Sequence, residues 1–223
     1  MNASFKSKLV FLSFFSGYFL ALWFLWDTPV IYPIKIFVVF LHEISHGMMA
    51  LATGGRIDQI ILDPNQGGAC YCPGGEPFMT LTAGYLGSLI WGIFLAVAGK
   101  HKKIDARLLT MFLSIIVIAL TMAYIHNFFG ILFGLIFGLV LLFVAVEFSK
   151  SQNQKVQLIL GLTSCLYAIL DIKSDILDHP GLSSDATMLT NLTGVSVVFW
   201  GTLWITLALF SSFKLIFWLY RNP

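Results

Sequence analysis

Charge is what this chain has least of. Only 11% of its 223 residues are Asp, Glu, Lys or Arg, against about 25% in an ordinary soluble domain. With 58% hydrophobic residues and a mean hydropathy of +0.87, a surface this poor in charge excludes a soluble monomer and makes lipid the solvent. Net charge is only +2, and no Lys/Arg run lies on a soluble face, which excludes a nucleic-acid partner. Cysteine is scarce too. Cys70, Cys72 and Cys165 make no disulfide framework. A small-residue cleavage site is missing after the first apolar stretch. Lys6 and Lys8 precede that stretch as in a signal peptide, but residues 18–26 are bulky and aromatic, and Asp27, Thr28 and Pro29 follow. A retained anchor is expected.

What is abundant is apolar sequence in runs of membrane length. The chain is 15% aromatic, with 21 Phe, and aromatic side chains suit hydrocarbon and its interface. A spanning helix needs about 20 mostly apolar residues. Segments 9–26, 31–53, 79–99, 108–125, 128–147, 156–171 and 194–219 come close to that length. The expectation is an all-α polytopic membrane protein of six or seven transmembrane helices, a single membrane-embedded domain over 1–223, placed in a cell membrane. Counting Lys and Arg gives two orientations. An outside N-terminus keeps the basic residues of 100–107 in the cytoplasm but leaves Lys6 and Lys8 outside. The opposite orientation exports the 100–107 loop, and a re-entrant 31–53 would reconcile both basic ends.

Two stretches break the helical pattern. Residues 54–78 carry six glycines, with an alternating run over 57–62, a turn at Asp63-Pro64-Asn65 to Gly68, and a returning stretch at 69–72. This predicts a short β-hairpin inserted after the second apolar segment. Residues 172–192 hold Asp175, Asp178, His179, Pro180, Gly181 and Asp185 and read as a polar loop.

Inside segment 31–53 lies Leu41-His42-Glu43-Ile44-Ser45-His46-Gly47, an H-E-x-x-H pattern. Residues i and i+4 share a helix face, so His42 and His46 can grip one metal ion. Glu43 follows the first ligand directly, where its carboxylate reaches a zinc-activated water as general base. An ionisable group at the centre of a membrane helix costs at least about 2.5 kcal/mol. Three together call for a compensating cation, and Zn2+ is the expected cofactor. Catalytic zinc takes three protein ligands. Asp171 ends the apolar run 165–170, which places it at helix depth, and it is the expected third ligand. Asp175 lies one turn further on as a substitute. Asp178, His179 and Asp185 remain candidates, although acidic loop residues are usually solvated. Asp185 also suits the cap of a helix starting near Ala186.

The sequence from His42 to Gly47, followed by Ala52-Thr53-Gly54-Gly55-Arg56, resembles the site-2 protease family of intramembrane zinc peptidases, and more closely its compact branch without inserted PDZ domains. Ala83-Gly84-Tyr85-Leu86-Gly87 is similar to the branch's glycine-rich second core helix. Residues 166–172, followed by Ser184-Asp185-Ala186, resemble its C-terminal signature. Better-known members carry Asn-Pro…Leu-Asp-Gly at the third ligand, whereas this chain has Leu170-Asp171-Ile172. The resemblance implies a hairpin that holds the substrate as an extended strand.

The function expected is hydrolysis of peptide bonds in a membrane-embedded or membrane-adjacent protein or peptide substrate within the lipid bilayer, with the oligomeric state open. A non-catalytic zinc-binding scaffold and a small metal or ion transporter are the alternatives. Glu43 favours the enzyme, since a carrier needs no base beside its ligands. His126 and Asn127 read as a turn between helices or as a polar group that orients substrate. Cys70 and Cys72 read as ordinary hairpin residues, and Gly130, Gly134 and Gly138 as a close-packing stripe.

Overall fold

The computed structural model describes residues 3–26, 28–101, 104–173 and 184–222. In order these form α1 (Ala3–Leu25), α2 (Tyr32–Ala52), β1 (Gln59–Leu62), β2 (Gly68–Tyr71), α3 (Pro77–Lys100), α4 (Ala106–Tyr124), α5 (Phe128–Glu147), α6 (Lys150–Lys173), α7 (Asp185–Thr193) and α8 (Val197–Arg221). Seven of these helices, all but α7, are long and apolar enough to cross a membrane. The chain is a multi-pass integral membrane protein. α2 runs as one helix of 21 residues, so segment 31–53 has the length of a full crossing and no break of the kind a re-entrant form needs.

The helices differ in how much of their surface is covered. In α2 72% of the apolar window is buried, against 11% in α1 and 22% in α8. α2 is therefore the central helix, and the outer ones present Phe and Leu side chains outward, which suits lipid contact. Lys35 is a buried cation within α2 and lies 4.4 Å from the centre of the Trp26 ring, a contact that offsets part of the cost of burying charge.

Small residues set the helix spacing. α2 packs on α3, α3 on α6, and α4 on α5. At the α3–α6 crossing Gly92 and Gly161 meet so closely that a Cβ on either would strike the other's carbonyl oxygen, and Ser164 Oγ donates to the Ser88 carbonyl at 2.7 Å. The stripe of Gly130, Gly134 and Gly138 faces Ile125, Thr121 and Ile118 respectively, so α5 lies against α4 and its C-terminal connection as the spacing predicts.

β1 and β2 form an antiparallel hairpin with Gln59 opposite Tyr71 and Leu62 opposite Gly68. It is embedded among the helices. Ile60 and Leu62 have no exposed surface and join Phe40, Leu41 and Ile44 of α2 in the main core. Backbone groups buried in an apolar setting must be paired. The α4–α5 connection supplies the partners for β1. Ile125 bridges Ile60 in parallel, and the Asn127 carboxamide donates to the Leu62 carbonyl at 2.8 Å and accepts from its amide at 3.3 Å. Asn127 thus lies in the turn between helices that the sequence suggests, and there it also seals the hairpin's outer edge.

The region 172–192 is not a loop throughout. α6 continues to Lys173, and α7 occupies Asp185–Thr193. Ser184 caps α7 in a reciprocal box with Thr187, satisfying amides at the first turn. Gly194 ends the helix at φ +73°, a conformation glycine adopts without steric penalty. Ala186 and Leu189 are fully buried against Tyr85, Ile172, Trp200 and Trp204. Asp175, Asp178 and His179 lie outside the described residues.

Candidate metal centre

The site is assembled on α2, one helical turn at a time. His42 and His46 project from the same face, with ring centroids 4.8 Å apart. The Nε2 atoms of both point at a single carboxylate oxygen, Asp185 Oδ2, at 3.0 Å from His42 and 3.2 Å from His46. One ligand atom from each of His42, His46 and Asp185 lies within 4.8 Å of the others.

Each ring is also held from behind. His46 Nδ1 is 2.7 Å from the Thr80 carbonyl oxygen in the first turn of α3, so that Nδ1 carries the proton and Nε2 is left as the donor to the cluster. His42 stands edge-on to Tyr85, at 5.1 Å and 86°. Its Nδ1 faces Asp171, with Oδ2 at 3.7 Å. Of the two carboxylates, the expected third ligand Asp171 is not the one that meets both Nε2 atoms. Asp185 meets the two Nε2 atoms, while Asp171 sits on the far side of the His42 ring. Asp185 belongs to a short capped helix rather than to a solvated loop. Ser184-x-x-Thr187 with Ala186 and Leu189 on one apolar face was the available sequence signal, and it places an acidic residue in a first helical turn, where the helix dipole favours it.

α3 approaches this face closely because it carries glycine there. A Cβ at Gly84 would collide with Nε2 of both His42 and His46, and one at Gly87 would collide with Ser45. The space in front of the two donor atoms exists because residue 84 has no side chain. Two imidazole nitrogens and a carboxylate oxygen, with that space before them, fit a zinc ion by donor chemistry.

Glu43 lies beside the cluster, 5% exposed. The hairpin covers it. A Cβ at Gly68 would lie 2.6 Å from Glu43 Oε1. The carbonyls of Gly67, Tyr71 and Pro73 accept from Asp63, Asp58 and Arg56 on the β1 side. Backbone polar groups alternate in direction along a strand, so Gly68, Cys70 and Cys72 turn theirs to the other edge, toward Glu43. A cavity of about 770 Å³ is lined by His42, Glu43, His46, Asp171, Asp185 and this edge of β2. Cys70 and Cys72 also line it, and they are joined in a disulfide, which corrects their reading as unremarkable hairpin residues.

A family model described as Peptidase M50B-like matches residues 15–214. No curated protein matches the chain significantly, and neither does any solved structure.

Proposed function

Because the chain belongs to the Peptidase M50B-like family, a family of membrane metallopeptidases, we propose that it is an intramembrane zinc metallopeptidase hydrolysing peptide bonds of membrane-embedded or membrane-adjacent substrates. The observation that carries this reading is the convergence of His42, His46 and Asp185 in a cavity that is also lined by Glu43 and by β2.

His42, His46 and Asp185 would hold the ion. When bound, zinc supplies Lewis acidity that activates water and polarises a carbonyl. The chain's own groups do the rest. A helical substrate hides its carbonyls in its own hydrogen bonds, so it must unwind before it can be cut. The β2 edge at Gly68, Cys70 and Cys72 offers backbone groups to such an unwound segment, as strand addition requires. The opposite edge of the hairpin is already taken by Ile125 and Asn127, which leaves β2 as the docking strand. Glu43 takes a proton from water as its oxygen bonds to the scissile carbon, and returns a proton to the amine nitrogen as the C–N bond breaks. Gly68 permits the peptide edge to lie close to that carboxylate.

Zinc quantification on detergent-purified wild type and His42→Ala, paired with cleavage of single-span membrane peptides in vesicles, tests this. About one zinc per chain with cleavage in wild type, and neither in the variant, is expected. Equal zinc in both proteins would remove the site. Stoichiometric zinc with no cleavage of any peptide would leave a non-catalytic scaffold.

A further inference from the structure

We propose that Asp171 is a positioning residue for His42: its carboxylate fixes the imidazole from the Nδ1 side so that Nε2 faces the metal position. The inference rests on the metallopeptidase reading of the same site and assigns a separate task to a carboxylate that does not belong to the cluster of three donors.

The geometry around His42 is two-sided. Nε2 is 3.0 Å from Asp185 Oδ2, and Nδ1 is 3.7 Å from Asp171 Oδ2. A neutral imidazole that ligates through one nitrogen carries its proton on the other. Here that N–H faces a carboxylate at 3.7 Å, beyond a closed hydrogen bond, so the carboxylate charge acts on the N–H dipole across a short gap, from a side chain that is 27% exposed and lines the cavity. His46 is an internal comparison. Its Nδ1 partner is a neutral backbone carbonyl at 2.7 Å. A carboxylate makes its imidazole a stronger donor than a carbonyl does, and losing such a partner typically weakens metal binding about 10–100-fold.

Packing keeps the two carboxylates apart. Ile172, next to Asp171, is 1% exposed and shares a cluster with Ala186 and Leu189 of α7. The end of α6 and the start of α7 thus anchor in the same cluster around Tyr85, Trp200 and Trp204, with Asp171 facing Nδ1 of His42 and Asp185 facing Nε2. Tyr85, nearly perpendicular to the ring at 5.1 Å, packs against it.

The test is zinc affinity of the full-length protein in detergent, measured by competition with a chromophoric chelator, together with the visible spectrum of the cobalt-loaded form. Asp171→Asn is expected to hold about one metal per chain with affinity reduced about 10–100-fold and a shifted cobalt spectrum of unchanged coordination number. Asp171→Glu, which restores the charge, should recover part of the affinity. Asp185→Asn should lose stoichiometric binding. Asp171→Ser carries the same expectation as the Asn variant and replaces it if that protein does not fold. Wild-type affinity and spectrum in Asp171→Asn would overturn the proposal. So would loss of metal as complete as in Asp185→Asn, which would make Asp171 a ligand. If wild type takes up neither zinc nor cobalt, the metallopeptidase reading fails and this inference with it.

Discussion

Asp185 Oδ2 lies 3.0 Å from His42 Nε2, although 143 residues separate the two in sequence. The contact joins the central helix α2 to the first turn of α7, and the site depends on α7 being where it is. Asp185→Asn is expected to remove stoichiometric zinc while leaving the protein monodisperse and helical. Ser184→Ala should act more mildly. It removes the cap of α7 at a cost of about 1 kcal/mol and should lower zinc affinity without abolishing it. Metal analysis after gel filtration reads both. Full zinc retention in Asp185→Asn would exclude this carboxylate as a ligand.

Glu43 is expected to act on the proton and not on the metal. Glu43→Gln keeps the shape beneath Gly68 and the reach toward the cavity. It should bind zinc as wild type does, with turnover lowered about 10²–10⁴-fold. Initial cleavage rates at matched zinc loading measure this. Undiminished rates would remove Glu43 from the chemistry.

Gly84 gives a case in which two effects of opposite sign compete. In an unobstructed helix Gly→Ala gains about 1 kcal/mol. Here the added methyl points at Nε2 of His42 and His46, and overpacking of this kind costs about 1–3 kcal/mol. Gly84→Ala is therefore expected to lower the unfolding midpoint and to weaken zinc binding together. A variant more stable than wild type with unchanged zinc affinity would contradict the close approach of α3.

Asn127 holds the sealed edge of the hairpin through both polar groups of Leu62. Asn127→Ala leaves a buried amide and carbonyl without these partners, each costing about 1–3 kcal/mol. Amide exchange across residues 59–71 should speed up markedly, while exchange in α3 and α6 stays as in wild type. Unchanged protection in the hairpin would show that the carboxamide does not hold that edge.

Much of this protein follows from local sequence. The scarcity of charge decided the solvent, and runs of about 20 apolar residues marked helices that the structure places within three residues of the expected bounds, except that α1 and α6 each begin six residues earlier. The glycine-rich interval after α2 foretold the hairpin, and the four-residue spacing of His42 and His46 put both rings on one face of one helix, because helical periodicity is a property of the chain itself. Tertiary structure decided the rest. Asp171 ranks above Asp185 in the sequence because it ends an apolar run, but that local signal does not say which carboxylate reaches the two Nε2 atoms. Asp185 meets the histidines because Ala186 and Leu189 bury against α3, α6 and α8, and that burial carries the first turn of α7 to α2. Gly84 has meaning only once α3 crosses α2 at that height. Asn127 sits in a connection between two helices, and only the folded bundle brings the edge of β1 to it. Local pattern is read along one helix or strand, whereas a site built from several elements is set by which apolar faces find each other.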